Sequence, residues 1–137
     1  MPNEFTLDPR LAADSIALHT WSLCLVRAMD DARFPWLILV PQRPGLREIH
    51  ELPATDRGLL IEEIARASAL MQKLFNAEKI NVAALGNQVP QLHIHVIARF
   101  DNDPAWPNPI WSLGPRRPMS GAERDQRLSI LRGALGA

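Results

Sequence analysis

Residues 91–97, Gln91-Leu92-His93-Ile94-His95-Val96-Ile97, place two of the chain's four histidines one residue apart within an apolar stretch. Successive side chains of an extended strand point to opposite faces, so Gln91, His93 and His95 share one face and Leu92, Ile94 and Val96 share the other. The pattern describes a strand with one core face and one polar face. Same-face neighbours stand roughly 7 Å apart along a strand, so two imidazoles and an amide can line a small anion. A single histidine on a strand is usually a hydrogen-bonded filler. Two histidines and a glutamine in strict alternation, entered through the polar turn Gly86-Asn87-Gln88, are a different matter, because polar groups gathered at a buried position need partners or a function.

Working outward, Lys79–Leu85 reads as a strand joined to a strand over Leu92–Phe100 through Gly86-Asn87. Before them, Leu60, Ile64, Ala67, Met71 and Leu74 recur at three- and four-residue spacing, with Glu62, Glu63, Arg66 and Lys73 elsewhere on the wheel; this predicts a long amphipathic helix over Thr55–Phe75. Trp36–Val40, closed by Pro41, and Trp21–Arg27, followed by the turn Asp30-Asp31, read as an antiparallel hairpin. Asp8-Pro9 signals a short helix over Pro9–Asp14. Ser120 and Glu123 have capping-box spacing and open a short C-terminal helix that stops near Gly133. The prolines between Pro104 and Pro118 exclude regular structure, so residues 103–111 are expected as an ordered surface loop. This order of elements is an α+β domain on an antiparallel sheet, spanning residues 1–137 as one unit.

The chain has 137 residues, 15 Lys and Arg against 15 Asp and Glu, and a formal net charge of zero. General nucleic-acid coating needs a basic excess and is not expected; a small anion held by a few local groups is compatible with neutrality. Cys24, the one cysteine, lies in Leu23-Cys24-Leu25-Val26 and reads as core filler. The apolar run Trp36–Val40 is far too short to span a bilayer, and Glu4 and Asp8 precede any apolar stretch. No membrane association is expected, and a cytoplasmic location is.

A His-x-His pair also holds zinc or iron in many proteins, but such sites need a third protein ligand. Neither a glutamate nor an Asp-His pair follows His95, where the chain runs Val96-Ile97-Ala98-Arg99. Metal is a poor fit.

Residues 91–97 resemble the signature of the histidine triad superfamily, His-φ-His-φ-His-φ-φ with φ apolar, with Gln91 in place of the first histidine. The strand ending Leu37-Ile38-Leu39-Val40-Pro41, the amphipathic helix and the strand before the motif recur in the same order, so the resemblance covers roughly Ser22–Phe100. More closely, Gly86–Val96 looks like a bacterial subgroup with this variant motif. The resemblance implies a HIT-like antiparallel sheet of about five strands, a homodimer, no cofactor and no metal. It implies a nucleotide hydrolase or nucleotidyl transferase whose substrate is a nucleoside phosphate ester, anhydride or phosphoramidate. In that chemistry the residue matching His93 attacks the α-phosphate and forms a nucleotidyl-imidazole intermediate, while a backbone carbonyl fixes its ring tautomer. The residue matching His95 contacts phosphate oxygens in the transition state. Gln91 supports the nucleophile and lines the site, and Asn87 and Gln88 complete the phosphate cradle.

Trp36 stands where many members carry a histidine that assists the catalytic one. With Gln91, this departure supports an alternative: a nucleotide-binding module with little turnover. The resemblance also places a polar residue near the ribose, where Asp30 and Asp31 stand, Asp31 being the candidate ligand and a solvated turn the plainer reading. Trp21, Trp106 and Trp111 are core or loop anchors that have the chemistry to stack on a base. Arg43 and Arg47 are rim or surface charges, Arg99 is expected at the surface of a strand end, and His19 and His50 fit no recognised spacing.

Overall fold

The computed structural model describes residues 4–135. Helix α1 (Pro9–Asp14) begins as its sequence requires: the Asp8 carboxylate accepts the Arg10 backbone N–H at 2.8 Å and proline occupies the first helical position. Strands β1 (Ser15–Thr20), β2 (Cys24–Met29) and β3 (Trp36–Pro41) follow, then helix α2 (Ala54–Phe75), strands β4 (Lys79–Ala83) and β5 (Ile94–Arg99), and helix α3 (Gly121–Leu135). The five strands form one antiparallel sheet in the order β1-β2-β3-β5-β4. At α3 the capping box forms as the spacing implies, with Ser120 Oγ accepting from Glu123 N and Glu123 Oε1 accepting from Ser120 N.

Both faces of the sheet are covered. Leu37 and Leu39 of β3 and Ile94, Val96 and Ala98 of β5 pack with Leu60, Ala67 and Met71 of α2 and Leu128 and Leu131 of α3. On the other face, Trp36, Ile38, Val40 and Ile97 pack with Leu11, Met29, Phe34, Ala105 and Ile110. Strand β3 is therefore buried along its whole length, and each of its Leu, Ile or Val side chains contributes about 1.5–3 kcal/mol of burial. The histidine face is thus not an open polar surface but a layer enclosed by the N-terminal segment and the Trp/Pro-rich loop.

Five points of the sequence reading are corrected. Ser15–Thr20 is a strand that the sequence reading did not assign; it lies at the sheet edge, and after Ser15 its residues are half-buried or exposed. The strand expected at Trp21–Arg27 begins only at Cys24, after a turn closed by Trp21 N donating to Cys24 O at 2.8 Å. Glu63 is not on the solvated side of α2: it is buried and its carboxylate oxygens accept the backbone N–H groups of Leu23 and Cys24, each at 2.9 Å, capping that turn. Arg99 is 2% exposed and pairs with Asp103 at 2.8 Å, so the residue expected at the surface is one of the most buried in the chain. The C-terminal helix also runs two residues past Gly133.

Candidate active site

Strand β5 starts at Ile94, so Gln91 and His93 lie in the extended segment leading into it and His95 lies within it. Register places His95 opposite Ile38 of β3 and Ala83 of β4, in the middle of the sheet. Both imidazoles are buried, their centroids 4.8 Å apart and their planes at 71°.

The hydrogen bonds determine which nitrogen of each neutral ring carries its proton. His93 Nδ1 is 2.7 Å from the backbone carbonyl of Gln91, and a carbonyl only accepts, so Nδ1 holds the proton and the Nε2 lone pair is free. His95 Nδ1 is 3.0 Å from the Trp36 indole Nε1, and an indole N–H only donates, so Nδ1 holds the lone pair and Nε2 the proton. One ring thus presents a nucleophilic nitrogen and its neighbour a hydrogen-bond donor. Burial, with the nearby charge of His93 adding to it, pushes the His95 pKa down to about 3, so that ring stays neutral at ordinary pH.

Trp36, His95 and Trp111 form an aromatic triangle, with ring centroids 5.5 Å apart for Trp36–His95, 5.6 Å for Trp36–Trp111 and 4.8 Å for His95–Trp111. Trp111 sits in a short 3-10 turn, Ile110–Leu113, within the proline-rich segment. A cleft of about 310 Å³ opens over the pair, with His93 and His95 at its base, Leu11, Met29 and Trp111 on its apolar sides and Asn87 and Gln88 at the rim. Gly86 turns β4 into this rim with φ at +79°, a conformation that costs other residues strain.

The structure brings His93, His95, Asn87 and Gln88 around one cleft. Gln91 contributes differently from the sequence expectation: its side chain faces the N-terminal segment, where Oε1 accepts Asp8 N and Nε2 donates to Thr6 O, both at 2.8 Å. Its backbone carbonyl is what touches His93. Asp31 is fully buried outside the cleft, paired with Arg33 at 2.8 Å, and Asp30 accepts from Met119 N and Arg116. Arg43 pairs with Asp56. Trp21 is core, with the Arg66 guanidinium over its ring at 4.3 Å, and Trp106 is a loop anchor near Arg99. Sequence reasoning missed Trp36 as a hydrogen-bond donor and Leu11 and Met29 as wall residues; the signal for Trp36 was its place where the resemblance puts a histidine that assists the catalytic one.

The HIT domain family profile matches residues 10–102. A histidine triad protein of Sinorhizobium meliloti is similar at 46% identity over 96% of this chain and 97% of that one, with a TM-score of 0.90. A histidine triad protein of Marinobacter aquaeolei VT8 is 44% identical over 98% of both chains, with a TM-score of 0.93. One from Bradyrhizobium japonicum is 39% identical over 96% of this chain and 98% of that one, with a TM-score of 0.91. No curated protein matches. The opposed imidazoles, the five-stranded sheet around them and these likenesses lead to one conclusion: the chain belongs to the histidine triad family.

Proposed function

We propose that the protein is a nucleotide hydrolase or nucleotidyl transferase in which His93 is the nucleophile. The observation that carries this reading is the pair of opposite tautomers, His93 with Nε2 unprotonated and His95 with Nε2 protonated. The Nε2 lone pair of His93 forms a bond to the α-phosphorus as the bond from phosphorus to the leaving group breaks, its electron pair departing with that group; an amine leaving group takes up a proton from solvent as it departs. The nucleotidyl-imidazolium keeps its Nδ1 proton on the Gln91 carbonyl, which stabilises the positive ring. His95 Nε2–H donates to a phosphate oxygen as negative charge builds there, and the exposed amides of Asn87 and Gln88 reach the remaining oxygens. Water then attacks phosphorus, the P–N electron pair returns to His93, and a proton passes from the water to the released base or to solvent. The cleft's apolar sides suit a nucleoside, with Trp111 available to the base.

The protein acts as a homodimer in this reading. Strand β1 is covered by α3, whose Arg132 donates to Ala17 O, whereas β4 is the other sheet edge and carries exposed Val82, with Leu85 and Ile61 of α2 also exposed. Pairing two copies through β4 covers that edge.

The test is turnover of an adenosine phosphoramidate and a dinucleoside polyphosphate, with mass spectrometry of the protein at neutral or alkaline pH, where a phosphoramidate adduct survives. His93→Ala is expected to abolish turnover and labelling. His95→Ala keeps the nucleophile and loses about 2–4 kcal/mol of transition-state stabilisation, so slow turnover and a trapped adduct remain. An adduct on His95, or labelling that persists in His93→Ala, overturns the assignment. Nucleotide binding with no turnover by the unaltered protein supports the binding-module alternative.

A further inference from the structure

His93 borders two clefts. Besides the one shared with His95 and Trp111, a cleft of about 420 Å³ has His93, Leu85 and Gly86 as common wall and continues between Arg47, His50 and Arg57. The two differ in chemistry. Beyond its histidines the first has apolar and aromatic walls, with Asn87, Gln88 and the carboxylate of Asp14 but no cationic side chain, while the second carries two guanidinium groups and His50 against one carboxylate, Glu48.

Neither arginine of the second cleft is neutralised within the described residues: Arg10, Arg33, Arg43, Arg99 and Arg116 have carboxylate partners, and Arg47 and Arg57 have none. Glu51 uses Oε1 to accept the backbone N–H groups of Arg47 and Glu48 at 2.9 and 2.8 Å, which fixes the turn that carries Arg47. That turn is tied to the catalytic segment, since Leu92 N donates to Leu46 O at 2.9 Å. Arg57 is steadied by one N–H donated to Leu52 O, and its other donors have no partner among the described residues. The basic groups are thus held on backbone next to His93.

We propose that this second cleft is a leaving-group subsite that selects anionic leaving groups through Arg47 and Arg57. The proposal rests on the reading of His93 as nucleophile. A substrate phosphorus carries two organic substituents that depart in different directions, the retained nucleoside and the group to be expelled. Two clefts meeting at the nucleophile accommodate one each, and the apolar one suits the nucleoside. A guanidinium fork matches a carboxylate or a phosphate, whereas a neutral amine or alcohol gains nothing from it. Binding there also stabilises the anion as it leaves.

The experiment compares three AMP conjugates: the phosphoramidate of β-alanine, the phosphoramidate of β-alanine methylamide, and ADP. They present a carboxylate, a neutral group and a phosphate. The β-alanine conjugate is expected to exceed its methylamide in kcat/KM by about tenfold, and the Arg47→Ala/Arg57→Ala double variant is expected to bring that ratio close to one. ADP against the β-alanine conjugate shows whether phosphate or carboxylate is the better anion. A ratio near one in the unaltered protein, or a ratio that persists in the double variant, overturns the proposal. Calorimetric titration with tripolyphosphate alone reads the cleft without turnover: binding lost in the double variant supports it and equal binding overturns it. An adduct on His93 without charge preference removes the subsite and leaves the nucleophile. Tripolyphosphate bound through Arg47 and Arg57 in a protein that forms no adduct does the reverse.

Discussion

Trp36 Nε1 donates to His95 Nδ1 across 3.0 Å, joining the first residue of β3 to the second residue of β5. A histidine in place of Trp36 would have two protonation states and two hydrogen-bonding roles; the indole has one of each. His95 is therefore held in a single tautomer over the whole working range of pH. Trp36→Phe keeps the ring packing but leaves a buried acceptor unpaired, so stability is expected to fall by about 1–3 kcal/mol. The ¹⁵N spectrum of His95 should then lose its single Nε2–H signature, with kcat falling about tenfold or more. An unchanged tautomer in Trp36→Phe would show that something other than the indole sets it.

Stability should fall with acid over two overlapping intervals of pH. Burial and the neighbouring His93 hold His95 down at about 3, against about 6.5 for a free imidazole, so unfolding takes up a proton throughout that interval. The stability this group contributes is complete above pH 6.5 and is lost as pH falls toward 3. Burial of Asp103 opposes its ionisation, but Arg99 and the N–H groups of Phe100, Ala105 and Trp106 bring it to about 2, so its contribution is lost between about 4 and 2. Melting temperatures from pH 7 to 4.5 should fall in the unaltered protein and fall less steeply in His95→Gln. Parallel curves for the two proteins would refute the assignment.

Arg99 and Asp103 are 2% and 4% exposed, and the guanidinium also donates to Asn81 Oδ1 and Asn108 O. Removing one partner strands the other charge, so Asp103→Asn is expected to cost about 3–5 kcal/mol in urea unfolding. Arg43 and Asp56 make a bond of the same length, but Arg43 is 39% exposed, and Asp56→Asn there should cost no more than about 1 kcal/mol. Equal costs for the two substitutions would mean that burial is not what separates them.

Val82 is 47% exposed on the edge strand β4. Val82→Lys should convert a dimer into a monomer in light scattering at micromolar concentration without lowering helix content, since lysine on a sheet edge opposes strand addition. A unaltered protein that is monomeric at that concentration removes the dimer, and a variant that remains dimeric places the interface elsewhere.

The alternation of His93 and His95 with apolar neighbours was readable because strand geometry is local, and so were the caps at Asp8 and Ser120. What could not be read depends on partners far along the chain. Trp36 and His95 are 59 residues apart, and no periodicity signals that an indole will meet an imidazole. Helical spacing set Glu63 apart from the core stripe, yet its partners are two backbone N–H groups about 40 positions earlier. Arg99 looked exposed because it ends a strand, while its burial is created by a proline-rich loop whose path the sequence does not specify. The side chain of Gln91 was expected to support His93 and line the site, but it turns to the N-terminal segment, and it is the backbone carbonyl that meets His93 Nδ1.

The Gln91 side chain couples the histidine motif to the N-terminal segment. One amide at position 91 holds Thr6 and Asp8 by both of its ends, and the Asp8 carboxylate in turn opens α1, which brings Leu11 to the wall of the cleft. A neutral imidazole also carries one donor and one acceptor in its plane, but they point in more divergent directions than the amide's oxygen and NH2, so Gln91→His should loosen the segment that closes the cleft. Position 91 and residues 6–8 therefore work as one unit, and a chimera that exchanges the motif without its N-terminal segment should lose the wall that Leu11 supplies.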